Sequence, residues 1–227
     1  MSRRRLDRIS VAFCLMLLPA VFGCFPVIAH GPRVEPGFDV ALVTALEAVP
    51  GVGNGGRTAF SPNVGLSLNH GWAGSHPDNG AFQLGIHVPA GILLAPVELA
   101  PWVLQGDLFY QFPASTSRPL DAGVGLHGAY RRVMPYLQVG RIGERGSGWY
   151  STQGVLVAWS NRDFEGNRQY ATGWLPTIAY QSAHQNTTTH FFAGALVGVG
   201  ARNDWYEGSR SPHELIAGMI VVFHGKR

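Results

Sequence analysis

His87, His127, Asp107 and Asp121 sit in stretches that alternate apolar with small or polar residues, and alternation places them on one common face with Gln83 and Gln105. A histidine beside a carboxylate can orient a general base, and Ser67 shares its own strand face with Asn69. The same residue types also make a hydrogen-bonded filling for a narrow interior, because buried polar groups must find partners. The six residues Gln83, His87, Gln105, Asp107, Asp121 and His127 are therefore read as interior polar groups, with no catalytic residue assigned. Nine histidines are present, but no spacing among them matches a zinc site. His70 and His76, near Asp78, fall at a strand end and its loop, while His30 and His224 lie toward the ends of the chain. Gly51-Val-Gly53-Asn-Gly55-Gly56 satisfies G-x-G-x-x-G, yet a dinucleotide site needs a helix after it, and Ala59 to Trp72 alternates as a strand. That stretch is a hairpin loop. Neither a metal nor a cofactor is expected.

Those strands follow an export segment. Arg3, Arg4, Arg5 and Arg8 precede an apolar run from Ile9 to Ala20, then Val21-Phe22-Gly23-Cys24. A basic head, a short apolar core and a small residue before the cut make a secretory signal peptide. Val21 to Cys24 resembles the bacterial lipobox, which implies cleavage before Cys24 and its lipidation. A single acyl chain binds a bilayer marginally, at ~0.8 kcal/mol per buried methylene, whereas a triacylated cysteine anchors stably. In that family Phe25, in place of Asp, implies sorting to the outer membrane. Two other readings stay open. Val27-Ile28-Ala29 also fits a cleavage site, and Ile9 to Ala29 could nearly span a bilayer uncleaved, although Pro19, Gly23 and Pro26 make a poor helix.

The leader also carries the charge imbalance. Four of the 17 basic residues and one of the 14 acids, Asp7, precede Cys24, which leaves 13 of each. A balanced mature chain gives no basic patch for nucleic acid. Cys14 belongs to the leader and Cys24 is lipidated or removed, so packing and hydrogen bonds must stabilise the fold without a disulfide. Thirty glycines, fifteen prolines and 14% charged residues suit an all-β chain with many turns.

Ten segments carry the strand pattern: Phe38 to Glu47, Val64 to Trp72, Phe82 to Val88, Trp102 to Phe112, Ala122 to Tyr130, Tyr136 to Ile142, Trp149 to Trp159, Tyr170 to Ser182, His190 to Ala201 and Leu215 to Phe223. The expected fold is all-β, an antiparallel up-and-down β-barrel of about ten strands, with eight as the fallback. Its organisation is a signal peptide over 1–23, a lipid-tethered leash over 24–36 and a barrel domain over 37–227. Several strands approach the ~9–11 residues of a tilted membrane span. Aromatic residues gather near strand ends: Trp72, Trp102, Tyr110, Tyr130, Tyr136, Trp149, Tyr150, Trp159, Tyr170, Trp174, Tyr180, Trp205 and Tyr206. Such rings at headgroup level form the girdles of membrane barrels, whose lumen takes polar and small residues. The closing strand Ile216-Ala-Gly218-Met-Ile-Val221-Val-Phe223 is similar to a barrel assembly signal.

Over nearly its whole mature length the chain resembles the small bacterial outer-membrane β-barrel superfamily. The resemblance implies an envelope protein, in the outer membrane, with a structural, adhesive or minor pore role. Its partners would be membrane lipids and lipopolysaccharide, the latter met by a basic cluster of Arg131, Arg132, Arg141 and Arg145; no protein partner is indicated. Two alternatives remain: a lipid-anchored soluble β-barrel that binds an apolar ligand or a protein, and a barrel-type lipid-modifying hydrolase.

Overall fold

The computed structural model describes residues 26–52, 57–73, 80–90, 104–113, 120–130, 132–162, 168–199 and 213–225. Ten strands form one closed antiparallel barrel: β1 (Gly37–Val52), β2 (Arg57–Ala73), β3 (Ala81–Pro89), β4 (Gln105–Gln111), β5 (Asp121–Ala129), β6 (Arg132–Ile142), β7 (Gly148–Arg162), β8 (Arg168–His184), β9 (Thr187–Val199) and β10 (His213–His224). Each strand pairs with its neighbours in sequence, and β10 closes onto β1 from Asp39↔His224 to Ala48↔Leu215. Every expected strand is present. The glycine motif starts at the end of β1, with Gly51 and Val52 in the strand and residues 53–56 outside the described set.

Alternation decides the two surfaces. In β3 the burial pattern is strict, with Ala81, Gln83, Gly85, His87 and Pro89 inside and Phe82, Leu84 and Ile86 outside. Pro135 and Pro176 have no N–H to donate, and they coincide with gaps in the β6–β7 and β8–β9 ladders. One mouth holds the start of β1 and the end of β10; we call it the terminal mouth. The opposite mouth holds the longest connections, between β3 and β4 and between β9 and β10.

The interior departs from the polar and small lining expected. Strands β2 to β6 supply most of its polar groups, including Asn69, Gln83, His87, Gln105, Asp107, His127 and Gln138. Strands β7 to β10 and β1 supply Leu156, Leu175, Leu196, Ile216, Ile220, Val222, Val43 and Ala41. An aliphatic wall of this kind needs packing partners, and residues 26–36 provide them. That stretch, expected as a tether, runs extended through the barrel interior. Pro26 lies at the opposite mouth beside Gln105, Ala129, Arg132 and Met134. Val27 and Ala29 pack with Ala41, Val43, Ile220 and Val222, and Val34 belongs to the cluster of Phe109, Met134, Leu156 and Leu175.

Gly37 turns this segment back into β1 at the terminal mouth, with φ of 115°. Side chains with a Cβ rarely adopt that conformation. A second glycine acts by close approach. A Cβ on Gly125 would collide with the Tyr136 ring, which folds over β5 from the neighbouring strand. Gly125→Val should therefore cost about 1–3 kcal/mol by displacing that ring. Gly106→Val, at an outward position with open space around it, should cost far less. Urea unfolding of the two refolded variants measures the difference.

Candidate functional site: the occupied lumen

The interior site is built from wall side chains that grip the backbone of residues 26–36. Gln105 Oε1 accepts from Val27 N at 3.3 Å, and Asn69 Nδ2 donates to Ala29 O at 3.4 Å. Gln138 Nε2 donates to His30 O at 3.2 Å, and Gln111 Oε1 accepts from Val34 N at 2.7 Å. An extended chain in a barrel has no ladder to join, so these amides stand in for the missing strand partners.

Two side-chain contacts to carboxylates fix its position. His30 Nε2 lies 2.8 Å from Asp107 Oδ2, and His30 Nδ1 lies 2.8 Å from Gly31 O. Both ring nitrogens thus face oxygen acceptors. Asp107 Oδ2 also accepts from Tyr136 Oη at 2.9 Å, and its Oδ1 stands 3.5 Å from His127 Nδ1. The His30 ring packs against Phe109 at 4.7 Å between centroids, and Phe109 stacks parallel to Tyr136 at 6.0 Å. Nearer the terminal mouth, Arg33 grips Asp121 with two bonds, Nε to Oδ1 at 3.2 Å and Nη2 to Oδ2 at 3.1 Å. Arg33 Nη2 also donates to Ile142 O at 2.8 Å. Forked pairing of this kind is directional as well as strong.

The six interior residues fall as follows. Gln83, His87, Gln105, Asp107 and His127 are buried on the inner face, and Asp121 is partly buried there. Asp107, His127 and Gln105 come together, with His127 Nε2 donating to Gln105 Oε1 at 3.0 Å. Asp121 stands apart, at the Arg33 end. His87 pairs with Ser67, Nδ1 to Oγ at 2.8 Å, and no hydrogen bond to its Nε2 occurs among the described residues. That pair has the nucleophile–base spacing of a hydrolase but is 1% and 3% exposed, and no carboxylate among the described residues bonds the imidazole. No group of three or more histidine, cysteine or acidic side chains among the described residues could hold a metal ion.

Other placements differ from expectation. Tyr136 and Tyr150 are interior rather than girdle residues, at 4% and 5% exposure. Each has the inward parity of its strand, shared with Gln138 in β6 and Thr152 in β7. Tyr150 Oη meets His190 Nδ1 at 3.0 Å across the interior. Arg132 and Arg141 lie at opposite ends of β6, so the basic residues do not form one cluster; Arg131 is outside the described residues. His70 sits against Trp72 at 4.4 Å, while His76 and Asp78 are outside the described residues. His30 and Arg33 were not expected in the site, because their sequence neighbours carry no strand pattern. At the terminal mouth, Asp39 Oδ1, His224 and Thr188 Oγ1 form a chain of 2.9 and 2.7 Å contacts that ties β1, β10 and β9.

His30→Ala and Asp107→Asn should each destabilise the barrel, since removing one partner of a buried pair costs about 3–5 kcal/mol. The double variant should lose about 1–3 kcal/mol less than the two single losses added together. Urea titration of all four proteins checks this; strictly additive losses would remove the pair from the account.

No family of sequences matches the chain, and no curated protein matches it either. Among solved structures, the chain is similar to the NanC porin at 8% identity and TM-score 0.45, covering 82% of this chain and 100% of that one. It is similar to the outer membrane protein OprG from Pseudomonas aeruginosa at 10% identity and TM-score 0.36, covering 86% and 100%. Ail, the attachment invasion locus protein of Yersinia pestis, solved with the heparin analogue sucrose octasulfate, aligns at 11% identity and TM-score 0.34, covering 83% and 98%.

Proposed function

We propose that this chain is an integral β-barrel of the bacterial outer membrane, with a structural or adhesive role and a lumen closed by its own residues 26–36. The observation that carries this reading is the outer surface. Leu66, Leu84, Ile86, Leu108, Leu126, Val155, Ile178 and Leu215 all face outward, each about half exposed. Monomeric soluble proteins rarely present apolar patches beyond a few hundred Å², and here the apolar surface continues from strand to strand. A lipid-anchored soluble barrel would leave all of it in water.

An aromatic girdle at the terminal mouth supports the same reading. Phe82 and Tyr110 stand 4.7 Å apart and Trp149 and Tyr180 5.1 Å, outward on adjacent strands, and Phe112 lies 5.8 Å from Tyr110 just past the end of β4. Rings at that level suit the headgroup region. Short turns face the periplasm and long loops the exterior in such barrels, which assigns the terminal mouth to the periplasmic side. Arg132, at the other mouth, has the inward parity of β6 and lines the lumen beside Pro26 and Gln105, so it is no outward contact for lipopolysaccharide.

Cys24 lies before the described residues, and we read it as the lipidated first residue of the mature chain. The outer belt makes that lipid redundant for retention. Cys24→Ala should stay in the membrane through carbonate extraction and keep heat-modifiable gel mobility. Release into the soluble fraction would overturn the membrane-barrel reading. Leu108→Arg should lower stability in lipid vesicles by about 2–4 kcal/mol if that position lies near the bilayer midplane, whereas a soluble barrel would tolerate an added surface charge.

A further inference from the structure

We propose that the lumen wall is a binding site for an extended, two-faced peptide, filled here by residues 26–36, and that the barrel conducts small solutes only when this segment is out. The proposal rests on the membrane-barrel reading above and adds the ligand and its consequence.

Several independent observations carry it. The wall is two-faced, with hydrogen-bonding side chains mainly on β2 to β6 and aliphatic ones mainly on β7 to β10 and β1. The segment is two-faced to match: His30 and Arg33 reach Asp107 and Asp121, while Val27 and Ala29 lie on Val43, Ile220 and Val222. Its backbone is read by Gln105, Asn69, Gln138 and Gln111 over its whole run. These are contacts to a peptide backbone and to a basic side chain at two set positions, as a peptide receptor requires.

Occupancy also decides permeability. Among the described residues, the voids inside the wall beside the segment measure about 30, 10 and 30 Å³, and a wider space of about 550 Å³ opens at the terminal mouth beside Arg33 and Glu35. A water molecule needs ~10–15 Å³ on that measure, so the three inner voids hold isolated waters between segment and wall. With the segment removed, the space it occupies joins them from mouth to mouth. A barrel of eight strands is filled by its own side chains; this one has ten and uses glycine at Gly65, Gly71, Gly85, Gly123 and Gly125 on the inner face. The width gained is taken up by the segment.

At its C-terminal end the segment joins the barrel through Gly37, where it enters β1. It makes no ladder pairing with any strand, so it can leave without breaking the barrel's hydrogen bonds. His30, Arg33 and Val34 follow both cleavage positions read from the sequence. The contacts to Asp107 and Asp121 therefore persist whether the mature chain starts at Cys24 or at His30.

The test is single-channel recording in planar bilayers. The intact mature protein should stay closed, and a variant lacking residues 26–36 should give discrete openings. A synthetic peptide of residues 26–36 should close those openings, and the same peptide with His30→Ala should need about tenfold or more higher concentration. If the deletion variant fails to refold, the pair His30→Ala/Arg33→Ala, which leaves every wall residue in place, should open intermittently. Intact protein that conducts as freely as the deletion, or a folded deletion or pair variant that stays closed, would overturn the proposal. Heat-modifiable mobility and carbonate resistance of the same samples separate the two claims. A variant seated in the membrane yet closed defeats the peptide site alone, while intact protein that carbonate extracts defeats the barrel reading beneath it.

Discussion

Pairing of β10 with β1 is the constraint on which everything else rests. Ten registered positions from Asp39↔His224 to Ala48↔Leu215 turn an open sheet into a closed one. Closure removes both sheet edges, so the strands satisfy their N–H and C=O groups among themselves. It also creates an inside and an outside, and strand parity then assigns every side chain to one or the other. The chain of contacts from Asp39 through His224 to Thr188, with Gly225 N donating to Phe38 O at 3.0 Å, clamps this seam at its rim.

Once closed, the barrel has an interior that its own walls do not fill. Polar groups such as Asp107 and Gln138 need partners there, and aliphatic groups such as Ile220 and Leu175 need contact. One extended peptide meets both needs because it carries backbone amides along its length and alternates the chemistry of its side chains. The aromatic shelf of Phe109 and Tyr136 shows how finely the interior depends on β5. Gly123 and Gly125 lie under those two rings, and the shelf they permit is what His30 packs against.

The strands were legible in the sequence because alternation is local: one face of β3, β4 or β5 can be read from consecutive residues. The same parity placed Gln83, His87, Gln105, Asp107 and His127 inside. It would also have placed Tyr136 and Tyr150, had position along the strand not drawn both toward the girdle. The segment from Pro26 to Pro36 was not legible as a lumen element. It has no periodicity, and its partners lie far along the chain, His30 to Asp107 across 77 residues and Arg33 to Asp121 across 88. Likewise Arg132 and Arg141 look adjacent in sequence, but an extended strand of this length carries them to opposite rims at about 3.3 Å per residue.

The reversal at Gly37 has a consequence for how the molecule is assembled. The peptide that ends inside the barrel is joined directly to β1, and β1 finds its second neighbour only in β10, the last strand of the chain. The final closing contact therefore spans the greatest sequence separation in the fold, and loop closure of that kind is slow. Until it forms, the sheet is an open trough, and residues 26–36 can lie down in it sideways, reaching Asp107 and Asp121 without being drawn end-first through a finished ring.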